Sequence, residues 1–279
     1  MPVVSFEVPV IDNPGREDFM RIVRAGQPVI VRGATEKWPA LGEWSPAYIR
    51  EKSGHRVVPI EFYPGGSWYG QWTTVSMRLD RYIDILESEG APEMCYLAQA
   101  KVDEYLPELV DDVPVPAVLD GQDGIGAGAF LGRDSITALH YHSRDEALLC
   151  QISGRKKVVL YAPEDYRNLR YAHPFSYRFN FSDMDLSGEP ETRYARLRRA
   201  RPYECVLEQG DALFIPLFWS HVTENQGLSA SVTFFWRSVD NTWTPLSLAL
   251  RSRLGFWFRS QVSGRVVGGI QKLFGYPAV

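Results

Sequence analysis

Residues 137–157 read TALHYHSRDEALLCQISGRKK, and the spacing of two histidines in this stretch sets the reading of the chain. On a β-strand, side chains at i and i+2 leave by the same face. His140 and His142 therefore project together and Tyr141 points the other way. Two imidazoles so placed can close on one metal ion, with a third donor from elsewhere. The chain has only five histidines, so the choice is narrow. His221 follows "GDALFIPLFWSH", where Gly210-Asp211 turns into a strand. His55 lies in a Gly-His-Arg turn and His173 in a loop before Pro174, which gives both weaker claims. The expected metal site is His140, His142 and His221.

Working outward, the runs "ITALHYH", "ALLCQISG", "RKKVVLYAP", "YECVLEQGD", "ALFIPLFWSHVTEN" and "SASVTFFWRSV" are short, β-branched and aromatic, with Gly, Pro and Asp between them. That rhythm predicts an all-β barrel or sandwich. Before it, "REDFMRIVRAG" (16–26), "SPAYIREKSG" (45–54) and "LDRYIDILESEG" (79–90) carry helical apolar spacing. "PVIVRG" (28–33), "RVVPIEFY" and "EMCYLAQA" (93–100) read as strands. After Asp240 the pattern is helical again. The expectation is a mainly β protein with flanking helices: an αβ N-terminal part, a β core over about 93–239 and a helical tail over about 240–279. Residues 1–279 are expected to form one domain.

Apolar residues make up 45% and charged residues 23% of the 279, as in a folded globular chain. A net charge of −4 supplies no global field for nucleic acid or an anionic membrane. The basic stretch "RYARLRRAR" (193–201) reads as a solvated face. Three distant cysteines, Cys95, Cys150 and Cys205, make no disulfide framework and fit a reducing compartment. With no signal peptide and no membrane span in the pattern, a cytoplasmic location is expected.

Two histidines with one carboxylate and open positions mark non-haem Fe(II) oxygenases; here three histidines stand where that triad has an acid. The stretch resembles the JmjC/cupin-8 group of Fe(II)- and 2-oxoglutarate-dependent oxygenases, most of all the branch containing the asparaginyl hydroxylase of hypoxia-inducible factor. "QPVIVRGATEKWPAL" resembles its entry strand, and "YLAQ" (Tyr96–Gln99) its Tyr-Leu-x-Gln strand. "TALHYH" is similar to Thr-x-x-His-x-Asp save at the last position. "CQISGRKKVVLYAP" and "GDALFIPLFWSHVTE" match the Gln-x-x-Gly-x-Lys and Gly-Asp-x-Leu-x-Ile-Pro-x-x-Trp-x-His patterns. The resemblance implies a double-stranded β-helix of the cupin or jelly-roll type. It implies Fe(II) at His140 and His221, O2 as oxidant, and 2-oxoglutarate as co-substrate. Lys156 would hold the distal carboxylate of 2-oxoglutarate, with Thr137 and Tyr96 assisting, because a buried anion needs a cation and hydroxyl donors.

Three departures from the family pattern stand out. His142 replaces the metal-binding Asp. Ala147 and Phe234 fall where the family places asparagines in the co-substrate pocket. Asp145 and Glu146, read as a turn, are a second possible source of a carboxylate ligand, although His142 is the expected one. Three readings follow: a 2-oxoglutarate-dependent hydroxylase or oxidase, a three-histidine Fe(II) dioxygenase that does without 2-oxoglutarate, and a non-catalytic metal-binding or interaction protein. The substrate expected is an unidentified small molecule or peptide. "YPGGSWYGQW" (63–72), with Trp68, Tyr69 and Trp72, reads either as a lid over the barrel mouth or as a hairpin packed on the core. The apolar tail from Thr244 to Phe274 is expected to mediate a homodimer.

Overall fold

Residues 145–161, which the sequence divides into two runs, form one strand, buried on both faces over 146–152 and alternating between buried and open side chains over 155–160. The computed structural model describes residues 5–88, 94–172, 178–186 and 194–237; His173 and the expected helical tail lie outside them. The strands are β1 (Phe6–Glu7), β2 (Val10–Asp12), β3 (Val29–Arg32), β4 (Val57–Phe62), β5 (Thr73–Arg78), β6 (Cys95–Lys101), β7 (Gly126–Arg133), β8 (Ile136–His140), β9 (Asp145–Tyr161), β10 (Pro202–Leu207), β11 (Ala212–Ile215) and β12 (Ser220–Arg237). They join in one 12-stranded sheet.

β9 and β12 organise that sheet. β9 is antiparallel to β10, β11 and β12, and β12 is antiparallel to β7, β8 and β9. Each is too long to stay straight. β9 bends at Gly154, whose φ of +68° favours glycine and whose Cβ position would run into the carbonyl oxygen of Leu228. β12 shifts register opposite that bend, between Gln226 and Ala230. The bends let both strands serve two layers, giving the jelly-roll or double-stranded β-helix expected.

The helices stop where their sequences say they should. Arg16–Ala25 buries Phe19 and Val23, one turn apart, and ends on left-handed Gly26, whose N–H returns to Ile22 and Val23. Pro46–Ser53 starts on Ser45, whose hydroxyl accepts from Tyr48 N–H at 3.2 Å. Leu79–Glu87 buries Leu79, Tyr82, Ile83 and Leu86, a single helical stripe. These helices cover the outer face of the sheet, where Leu148, Cys150, Phe214, Val232, Phe234 and Trp236 share a core with Phe19 and Trp38. The opposite face of the same strands, carrying Ala147, Leu149, Val158, Leu160 and Ile215, lines the barrel interior. No helix among the described residues is long and apolar enough to cross a membrane.

Candidate metal centre and anion pocket

His221 lies opposite His140 in the β12–β8 register and opposite Leu160 in the β12–β9 register. His142 joins them, although β8 ends at His140 and His142 sits just beyond it. The expectation that His142 rides the strand is thus corrected. The chain leaves β8 because the Tyr141 N–H bonds to the Asn180 carbonyl and His140 bridges to Phe181. The His142 carbonyl accepts from Phe218 N–H at 3.1 Å, which holds the residue in place. Ring centroids are 4.2 Å apart for His140–His221, 4.7 Å for His142–His221 and 5.4 Å for His140–His142. One ring nitrogen from each falls within 4.8 Å of the others, and no carboxylate belongs to the cluster among the described residues.

Hydrogen bonds fix two of the rings. Nδ1 of His140 lies 2.9 Å from the Ala138 carbonyl and Nδ1 of His221 lies 3.0 Å from that of Trp219. A carbonyl only accepts, so both Nδ1 atoms carry hydrogen and both Nε2 lone pairs face the centre. Burial lowers the pKa of His140 to about 4; burial and then the neighbouring His140 lower that of His142 to about 3. His221 is likewise held well below its ordinary value, first by burial. Neutral imidazoles are the form that binds metal.

The acids after His142 behave opposite to the turn expected. They begin β9. Glu146 is fully buried and its carboxylate accepts from the Leu217 N–H at 2.6 Å, on the face turned away from the histidines. Asp145 lies opposite Arg237, and burial raises its pKa against the opposing pull of Arg237 and Arg144. Arg133 donates to the Leu86 carbonyl. Phe234 is corrected too: it packs on Trp38 at 5.7 Å in the outer core. The inward residue is Phe235, 5.4 Å from His142 and opposite Ala147. Ala147 does face the interior, and the wall there is apolar.

Deeper along the same face, Lys156 is buried and faces Asn225 across the strands. Arg155 and Lys157 point out to Glu208 and Glu204. The Lys156 ammonium donates to the Tyr96 hydroxyl at 3.3 Å and lies 5.4 Å from the Phe130 ring centre. Burial alone accounts for its fall to about 7. Thr137 and Asn225 both bond the Tyr96 hydroxyl, whose pKa burial raises. Lys156, Tyr96 and Thr137 therefore come together. Asn225 was missed, although His221, Thr223 and Asn225 follow the period of two that His140 and His142 display. Asn225 Oδ1, Gln151 Oε1 and Ser231 Oγ are buried without hydrogen-bond partners. Orphaned polar atoms of this kind cost about 1–3 kcal/mol each, so this interior is built for a polar occupant.

The 63–72 stretch reaches the histidines through a chain of rings. Tyr63 contacts Trp68 at 4.7 Å and Trp72 at 5.9 Å; Trp72 lies 5.5 Å from Phe181, which stacks on His140 at 5.1 Å. The Arg178 guanidinium sits over both Trp72 and Phe181 and donates to the Gly70 carbonyl. Glu61, which accepts from Tyr63 at 2.7 Å, is pushed up to about 7 by burial despite Tyr63 and Arg178. Nothing in "SYRFNF" signals this role, since the segment has no periodicity. His55 is exposed, 3.6 Å from Glu108, and takes no part. The basic stretch behaves as a solvated face: Arg196, Arg198, Arg199 and Arg201 are exposed around buried Leu197 and Ala200. None of the three cysteines is in a disulfide.

The sequence that builds this arrangement has relatives among known proteins. Residues 15–242 match the family described as Cupin-like domain. The chain belongs to the cupin-like family. It is 35% identical over 240 residues to the lysine-specific demethylase 8 of Danio rerio, covering 82% of this chain and 58% of that protein. It is 31% identical over 242 residues to the Jumonji C domain-containing protein 5 of Drosophila melanogaster, with 82% and 60% covered. The tRNA wybutosine-synthesizing protein 5 of Danio rerio is 27% identical over 254 residues, with 84% and 76% covered. The chain thus spans a little over half the length of the first two relatives. These cupin-like relatives support the JmjC oxygenase resemblance drawn from the motifs.

Proposed function

We propose that the chain is a non-haem iron oxygenase that uses O2 and 2-oxoglutarate to hydroxylate or otherwise oxidise a small molecule or peptide. One observation carries this reading: three neutral imidazoles converge at one end of the barrel interior, and an ammonium with no acid beside it among the described residues waits on the same face. His140, His142 and His221 hold Fe(II). Lys156, Tyr96 and Thr137 hold the distal carboxylate of 2-oxoglutarate, which supplies the charge that Lys156 lacks. Iron and 2-oxoglutarate together supply the activation of O2. Phe235 and Ala147 keep water from the His142 side, and Phe181 and Trp72 form the wall along which substrate meets His140. The relatives' names point to lysine demethylation and to tRNA wybutosine synthesis, so they do not select one substrate. The free cysteines fit a cytoplasmic setting, and homodimerisation through the 244–274 tail completes the proposal.

A second reading, a three-histidine dioxygenase without 2-oxoglutarate, is favoured by the apolar wall at Ala147 and Phe235. A third, a non-catalytic metal-binding protein, leaves the buried charge of Lys156 without a purpose. Incubation with Fe(II), 2-oxoglutarate and candidate substrates separates them. Succinate formation supports the first. O2 consumption without succinate supports the second, and neither signal supports the third.

A further inference from the structure

The three histidines are not equally held. Nδ1 of His140 and of His221 each has a backbone carbonyl to donate to. Nδ1 of His142 is buried and has no hydrogen-bond partner. The His142 ring lies 5.4 Å, centre to centre, from the Phe235 ring and is turned edge-on to it, and that ring offers no strong acceptor. A ligating histidine is ordinarily oriented and made more basic by what its second nitrogen bonds to; losing that partner costs about 10- to 100-fold in metal affinity. His142 also lies past the end of β8, whereas its two companions are on strands.

Charge adds a second, independent pressure. Three neutral imidazoles leave a divalent ion's charge undiminished, and Lys156 places another cation in the same interior. A bound dicarboxylate cancels only part of that total, so one positive charge remains unbalanced. The nearby acids are occupied: Glu146 faces Leu217 from the outer side, Asp145 lies opposite Arg237, and Glu61 bonds Tyr63 near Arg178. An uncompensated buried charge is costly, and an anion that enters the metal's shell relieves it.

We propose that His142 is the exchangeable ligand of the centre, and that a small monocarboxylate from solution takes its place on the ion. This rests on the reading that the three histidines bind a metal. His140 and His221 form the permanent pair, and His142 yields its position. The centre thereby regains the charge of a two-histidine, one-carboxylate site without an acidic side chain. Formate is the probe, because it is the smallest carboxylate.

The test uses the full chain loaded with Co(II), whose visible absorption reports its ligands. Co(II) affinity is measured by chelator competition for the wild type and for His140→Ala, His221→Ala, His142→Ala and His142→Asp. His142→Ala is expected to weaken binding by no more than about 10- to 100-fold, and formate is expected to restore most of that loss. His140→Ala and His221→Ala should lose the ion beyond recovery by formate. In the wild type, formate should change the visible spectrum saturably, and in His142→Asp, which has its own anionic donor, it should not. A wild-type spectrum indifferent to formate, with His142→Ala as unrecoverable as His140→Ala, overturns the proposal. A wild type that takes up no Co(II) overturns the metal reading beneath it instead.

Discussion

Replacing Lys156 by Met separates two effects that have opposite signs. In the ligand-free protein the lysine is a burden. Burial moves its pKa from 10.5 to about 7. At about 1.4 kcal/mol per unit, keeping this amine in the interior costs on the order of 5 kcal/mol near pH 7. Between pH about 7 and 10.5 the unfolded chain binds more protons at this group than the folded chain does. Stability of the ligand-free protein therefore rises with pH across that window. Met fills similar space with no charge, so Lys156→Met should melt higher than the wild type at pH 7, and the gap should close towards pH 10. With 2-oxoglutarate the order reverses. The ammonium's hydrogen bond to a carboxylate is worth about 1.5–3 kcal/mol, so the variant should bind 2-oxoglutarate roughly 10- to 150-fold more weakly. Thermal melts between pH 6 and 10, with calorimetric titration of 2-oxoglutarate, read both effects. A variant that melts no higher at pH 7 and binds within about threefold of the wild type, a difference under 1 kcal/mol, refutes the reasoning.

Iron content should fall from one ion per chain to near zero in His140→Ala and His221→Ala, measured by elemental analysis after anaerobic loading. Glu146→Ala should cost about 1–3 kcal/mol in urea denaturation, because it leaves the buried Leu217 N–H without its acceptor. Asp145→Asn, by contrast, should leave metal content unchanged, since the carboxylate lies outside the histidine cluster. Light scattering should give a dimer for the full chain and a monomer for a truncation near residue 243, and a monomer in both refutes dimerisation through the tail.

The frame of this molecule was legible because its motifs are matters of period. Alternation put His140 and His142 on one face, the family motifs pointed to His221 and Lys156, and the helical stripes at 16–26 and 79–90 marked the helices Arg16–Ala25 and Leu79–Glu87. What escaped depends on where periods break. The end of β8 is set by backbone bonds to Asn180 and Phe181, more than 35 residues away in sequence, so no local pattern shows His142 leaving the strand. Phe234 and Phe235 differ by one residue and face opposite sides of the sheet, so an assignment made by motif alignment is exposed to a one-residue slip. Glu146 reads as a solvated acid because its partner is a main-chain N–H, which has no signature in the sequence. Phe181 and Arg178 lie in an aperiodic segment whose meaning comes only from what folds against it.

The two long strands have one more consequence. Leu160 and His221 are partners in one register and Lys156 and Asn225 in another, four residues along both β9 and β12. At about 3.3 Å per residue, that places the metal end and the cationic end roughly 13 Å apart along the backbone, with the lysine side chain and the metal–ligand bonds taking up part of the span. Because both strands are continuous through this segment, neither end can drift relative to the other without breaking the ladder between them. On the proposed reading the barrel is therefore a ruler: it would measure a co-substrate by the distance between its two acidic ends, and a dicarboxylate one carbon shorter or longer would meet either the lysine or the ion but strain to meet both.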